Sequence, residues 1–159
     1  MSQASSKLSR DELSAWKGML AAHSRLTAQL DAELERDHGV GLTSYEVLMN
    51  LSDAPAGQMR MSELADRLLL SRSGITRMAD RLVARGLIER ERCSDDGRGY
   101  NAHLTQLGRE LVEAARPDHL AAVRRVFLSQ LDENELDTLR RVWQRLLVQP
   151  LPDGLDEAV

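Results

Sequence analysis

The chain has 159 residues, 42% of them hydrophobic and only 3% aromatic, with a net charge of −4. That length suits one domain with an aliphatic core that needs neither metal nor disulfide. A single cysteine, Cys93, excludes a disulfide framework and a thiolate metal cluster, and no apolar run approaches the roughly 18–20 residues that span a bilayer.

In chain order, the first nine residues read as a loose polar tail without the apolar stretch of a secretory signal. The expected compartment is the cytoplasm. A long helix follows from Asp11 to Asp37, with Leu13, Trp16, Leu20, His23, Thr27, Leu30 and Leu34 at alternating steps of three and four. At 1.5 Å per residue it is about 40 Å long, more than a small module can cover. Gly39 and Gly41 end it. Thr43 to Glu46 reads as a capping box opening a second helix, and the segment from Asp53 to Gly57 as a turn. Ser62 is the expected N-cap of a short helix from Glu63 to Leu68. Leu69 and Leu70 make a tight turn. Ser71 then caps a helix that runs to Arg85 and stops at Gly86.

Residues 87–92 and 100–104 read as two strands of a hairpin around a loop rich in turn residues. Tyr100, Ala102 and Leu104 fall on one strand face. Thr105 caps a long helix expected to reach about Leu128, with Pro117 as a kink or restart. Asp132 to Glu135 opens a last helix striped by Leu136, Leu139, Trp143 and Leu146, which Pro150 and Pro152 terminate.

The fold class expected is therefore mainly α with a small β-hairpin. A winged helix-turn-helix occupies about Met59 to Leu104, between long terminal helices. The division runs: tail 1–9, N-terminal helices 10–54, winged helix-turn-helix 55–104, C-terminal helices 105–149, tail 150–159. Charge follows that division. From Arg60 to Leu104 there are 9 basic and 7 acidic residues, against 12 and 18 in the remainder, so the only net positive field belongs to the central module.

Helix, tight turn, helix and hairpin is an order that reads duplex DNA, with the second helix in the major groove. Ile75, Met78, Ala79 and Leu82 supply an inward face, while Arg72, Ser73, Thr76, Arg77 and Asp80 fall opposite. Arginine can take guanine O6 and N7 together, and threonine can meet a thymine methyl. Backbone amides at the start of this helix could hold a phosphate. Arg98, between Gly97 and Gly99, sits on a loop tip narrow enough for a minor groove. An ordinary solvated helix face would carry the same arginines. The conjunction of caps, glycine stop, hairpin and Arg-tipped loop within 45 residues favours DNA.

The run from Met61 to Gly108, MSELADRLLLSRSGITRMADRLVARGLIERERCSDDGRGYNAHLTQLG, resembles the central region of the MarR family of bacterial regulators. The matching features are Leu64-Ala65, Ser71, Ile75-Thr76-Arg77, Asp80-Arg81-Leu82, Gly86 to Arg90, Asp96, Arg98 and Leu104-Thr105 with Gly108. Flanking helices of similar length and order extend the resemblance over Glu12 to Val148. It implies a homodimer built from the terminal helices, a pseudo-palindromic operator, and release of DNA when a small phenolic or anionic effector binds between the dimer helices and the DNA-binding lobe. It also implies that Ser71, Ser73, Thr76 and Arg77 face bases and phosphates, that Arg98 enters the minor groove, and that Asp96 steadies the wing by pairing with a nearby arginine. The family's wing usually reads Asp-Arg-Arg. Here Asp96-Gly97-Arg98 lacks one cation.

Trp16, His23 and Glu46 are candidates for an effector pocket. Packing at a dimer interface explains Trp16 and His23 as well, and the capping box explains Glu46. The four histidines share no ligand spacing, so no metal or other cofactor is expected. Cys93, at the start of the wing, offers a thiol for redox sensing. A winged-helix module used only for protein contacts is the competing reading. An enzyme is disfavoured, because no phosphate loop, nucleophile with a matched base or carboxylate pair is present.

Overall fold

The protein is described by a computed structural model over residues 7–92 and 99–147. Helix α1 (Arg10–His38) begins earlier than the periodicity suggests. The Ser9 hydroxyl accepts from the Glu12 amide at 3.2 Å, and the Glu12 carboxylate accepts from the Ser9 amide at 2.7 Å. This reciprocal cap, assigned above to the tail, satisfies two orphan donors and holds the Glu12 carboxyl below its usual range. Gly39, in the left-handed region, closes the helix.

Helix α2 (Leu42–Asp53) corrects the second expectation. The Thr43–Glu46 capping box does not form, because the helix starts with Gly41 as its N-cap and Thr43 already lies in the first turn. Its unsatisfied Leu42 amide donates instead to Asp31 Oδ1 on α1, at 2.7 Å. A carboxylate from the neighbouring helix thus does what a local hydroxyl was expected to do.

A 3₁₀ turn (Pro55–Gly57) leads into a strand the sequence reading missed, β1 (Gln58–Arg60). Three residues are too few for alternation to register. Helix α3 (Met61–Arg67) follows directly, with the extended Arg60 as N-cap, so Ser62 sits inside the helix and caps nothing. Next come α4 (Arg72–Ala84), β2 (Ile88–Arg92), β3 (Tyr100–Leu104) and α5 (Gln106–Val126). A second 3₁₀ turn (Leu128–Gln130) precedes α6 (Glu133–Leu146). Helix α5 runs through Pro117 without interruption and ends two residues short of Leu128.

The strands form one antiparallel sheet in the order β1-β3-β2, with Met59 opposite Ala102 and Ile88 opposite Leu104. The hairpin is thus two-thirds of a three-stranded sheet. Its inner face supplies Met59, Ile88, Ala102 and Leu104 to a core completed by Leu48, Leu51, Leu64, Ile75, Leu82 and Val112. Tyr100 continues the face of Ala102 and Leu104 beyond the core, where its ring is 42% exposed with the Arg92 guanidinium 5.9 Å from its centroid.

Two local devices set the wing strands against the helices. Gly86 takes φ 70 and turns α4 into β2. Gly108 lets α5 touch the same corner, since a Cβ there would lie 2.3 Å from the Leu87 carbonyl oxygen. Thr105 secures it, its hydroxyl accepting from the Gly108 amide at 3.0 Å and lying 2.7 Å from the Gly86 carbonyl.

The terminal helices behave differently. Along the 29 residues of α1 only Leu34 is buried, and α6 buries none of its residues. No helix among the described residues is long and apolar enough to cross a membrane.

Candidate nucleic-acid interface

Helix α4 divides as its sequence requires. Ile75, Ala79 and Leu82 are buried with Met78 half-buried beside them, while Arg72, Ser73, Thr76, Arg77 and Asp80 are all exposed. Ser71 fixes the exposed end: its hydroxyl accepts from the Gly74 amide at 3.0 Å and lies 3.1 Å from the Ser73 hydroxyl. The Ile75 amide bonds the Ser71 carbonyl, so the Arg72 and Ser73 amides are the ones left without an acceptor inside the helix. Those amides, the Arg72 guanidinium and the Ser71 and Ser73 hydroxyls share one end of the helix, and Thr76 and Arg77 follow one turn on along the same face.

Thr76 is more constrained than its sequence position suggests. Its hydroxyl donates to the Arg72 carbonyl at 2.8 Å. Its proton is therefore engaged, and what it offers a neighbour is its methyl group and oxygen lone pairs. Asp80 would place a bare carboxylate on this cationic face. Arg90 of β2 meets it at 2.6 Å, neutralising it and tying the helix to the wing strand. Sequence reasoning left Arg90 out, because a pairing across ten residues of helix and strand leaves no periodic trace. Farther along the wing, Arg92 Nε donates to the Tyr100 hydroxyl at 3.3 Å. Asp96, Arg98 and Cys93 lie outside the described residues, and with them the wing tip.

The candidate effector residues do not converge. Trp16 is 54% exposed on α1, and His23 is exposed on the same helix. Glu46 is half-buried on α2, and with its capping role gone its carboxyl has no hydrogen-bond partner among the described residues. Burial pushes that carboxyl up from its usual range. A cavity of about 380 Å³ opens between α1, α2 and α4. None of these three lines it; Asp31, Glu35, Thr43, Ser44, Met78, Arg81 and Arg85 do. Bonds bridge its walls: Arg85 of α4 donates to the Gly39 carbonyl at 2.8 Å, and the Ser44 hydroxyl lies 3.1 Å from Met78 Sδ. These two contacts join α4 to the junction of α1 with α2. Sequence reasoning missed Arg81 and Arg85 because neither stands out from a solvated helix end.

A family model described as "MarR family" matches residues 38–99. Among solved structures, the chain is 34% identical to AbsC, a MarR family transcriptional regulator from Streptomyces coelicolor, at a TM-score of 0.84, covering 89% of this chain and 95% of that one. It is 30% identical to Sco3205 of the same organism, another MarR family regulator solved in complex with DNA, at a TM-score of 0.87 and 94% coverage of both chains. The transcriptional repressor MprA of Escherichia coli is 31% identical over 109 residues, 69% of this chain. That match spans 61% of MprA's length, and the match to a Bacillus subtilis regulator spans 66% of its length.

Proposed function

The chain belongs to the MarR family of transcriptional regulators, a family of regulators and not of enzymes, and from that premise we propose that it is a homodimeric repressor that binds a pseudo-palindromic operator and is released by a small effector. One observation carries the reading: the exposed face of α4 gathers Arg72, Ser73, Thr76 and Arg77 beside its capped N-terminus, on a fold shared with a relative solved on DNA. In the groove, Arg77 supplies guanidinium donors and Thr76 its methyl, while Arg72 meets phosphate beside the hydroxyls and amides of Ser71 and Ser73. Arg98 reaches the flanking minor groove, with Asp96 as its support.

The dimer is supported by what the terminal helices leave uncovered. Leu13, Trp16 and Leu20 on α1, with Leu136 and Leu146 on α6, are exposed apolar side chains at helical spacing on helices that bury almost nothing within the chain. A second copy is the natural cover. Two-fold symmetry then sets the recognition helices about one DNA turn, roughly 34–36 Å, apart. Repression is supported by the name of MprA. Effector control is supported by the cavity between α1, α2 and α4, where a phenolic or anionic molecule meets Arg81 and Arg85 and shifts α4 against the dimer helices. Trp16, His23 and Glu46 lie outside this cavity's wall, and reach a ligand only where a partner chain closes the site.

The test is selection of bound sites from random duplexes. The expected product is a palindrome with half-sites one turn apart. Recovery of no enriched sequence, with no retention of duplex at low salt, overturns the proposal in favour of a protein-contact module.

A further inference from the structure

Between α3 and α4 the chain makes a tight corner whose geometry is fully determined. The Leu70 amide donates to the Ala65 carbonyl at 2.8 Å and the Leu69 amide to the Asp66 carbonyl at 3.3 Å, the paired bonds that close a helix through a left-handed residue. That residue is Leu69, at φ 52. Glycine is the ordinary choice there, because a side chain in the left-handed region meets its own carbonyl. The same chain uses glycine at the corresponding ends of α1 and α4, Gly39 at φ 67 and Gly86 at φ 70. Among the described residues Ala56 is the other non-glycine with positive φ.

Leu69 carries a second cost. Its neighbours Leu68 and Leu70 pack against the core and anchor the corner, while Leu69 itself is 89% exposed. An apolar side chain on a strained backbone, with almost no packing in return, is an outlier of the kind that clusters where a protein contacts a ligand. The corner stands two residues before Ser71, the N-cap of α4, and so continues the end of α4 that holds Arg72 and Ser73.

We propose that Leu69 is an apolar DNA contact, set by the rigid α3–α4 corner against the edge of the groove that α4 enters, where deoxyribose carbons and thymine methyl groups are the available apolar surfaces. The inference rests on the DNA-binding reading above. It adds an apolar contact that charge and hydrogen bonding do not supply. Direct readout includes apolar contact with thymine methyls, and such contact releases no counterions.

The variants separate the two costs. Leu69→Gly removes the side chain and relieves the backbone. Its melting temperature rises by a few degrees while its affinity for the selected duplex falls about tenfold. Leu69→Ala keeps the strained Cβ, so it loses affinity to a similar extent with no gain in melting temperature. Leu69→Met retains both wild-type values. Anisotropy titrations at several salt concentrations give parallel lines for wild type and Leu69→Gly, because no phosphate contact is lost. Replacing thymine by deoxyuridine in the half-site distinguishes the methyl group from the sugar as the partner. A Leu69→Gly protein that binds with wild-type affinity overturns this inference alone. A wild-type protein that fails to bind the duplex overturns it together with the reading of the molecule as a DNA binder.

Discussion

Thr76 and Arg77 occupy the middle of the exposed face of α4, and one of them has already spent its only proton within the helix. Replacing either by alanine removes a base contact worth about 1–3 kcal/mol, so specific binding weakens while binding to random duplex changes little. Competition titrations with both duplexes check this, and equal losses on the two would move both residues to the phosphate backbone. Gly108 makes an opposite kind of claim, about stability. A methyl group 2.3 Å from the Leu87 carbonyl has backbone, not a flexible side chain, to push against. Gly108→Ala therefore destabilises by more than about 2 kcal/mol, read as a lowered denaturation midpoint. A midpoint within error of wild type would mean that α5 can retreat from the β2 corner. The sequence showed this glycine only as part of a resemblance; its reason is a distance between elements twenty residues apart.

At the scale of elements, what was legible in the sequence was whatever a single element decides for itself. The inward and outward faces of α4, the Ser71 cap and the Asp132 cap of α6 follow from spacing and local hydrogen bonding. What was not legible is settled between elements. Asp31 reaches from α1 to cap α2, displacing the local Thr43–Glu46 box. Strand β1 exists because β3 offers it an edge, and Arg90 matters because it finds Asp80. The displaced box has a measurable consequence at Glu46, whose carboxyl burial pushes up from 4.5. A raised carboxyl contributes most below its unfolded value and loses that contribution as pH rises through its folded value. Glu46→Gln should therefore raise stability at pH 7 relative to pH 4, measured by denaturant unfolding at both. His119 of α5 works in the other direction. Its ring packs against Tyr45 of α2 at 4.8 Å between centroids, and burial holds it below 6.5. Its contribution is present above pH 6.5 and is lost as pH falls below that value. His119→Phe flattens the stability profile from pH 6.5 downward, and an unchanged slope would show that the histidine protonates freely in the folded protein.

The whole molecule is organised by an imbalance. The centre buries Leu48, Leu51, Leu64, Leu82, Leu87 and Leu104, while α1 buries only Leu34 and α6 none of its residues. Charge divides the same way, with the only net positive field in the centre. In the proposed assembly a second copy covers the apolar stripes and a duplex meets the positive field. Leu13→Asp with Leu20→Asp places carboxylates on the uncovered stripe of α1. Sedimentation at micromolar concentration should then give the monomer mass for this variant and the dimer mass for the wild type. A wild-type monomer would leave the terminal helices without an explanation.

The central claim is the proposal that the capped, cationic end of α4 and Arg98 both contact a duplex. The salt dependence of binding to the selected duplex measures this most directly, for the wild type and for Arg72→Ala combined with Arg98→Ala. Each lost phosphate contact lowers the slope of log affinity against log salt by about 0.9. The account predicts a steep wild-type slope that falls by about two in the double variant. A double variant whose line superimposes on that of the wild type would contradict it.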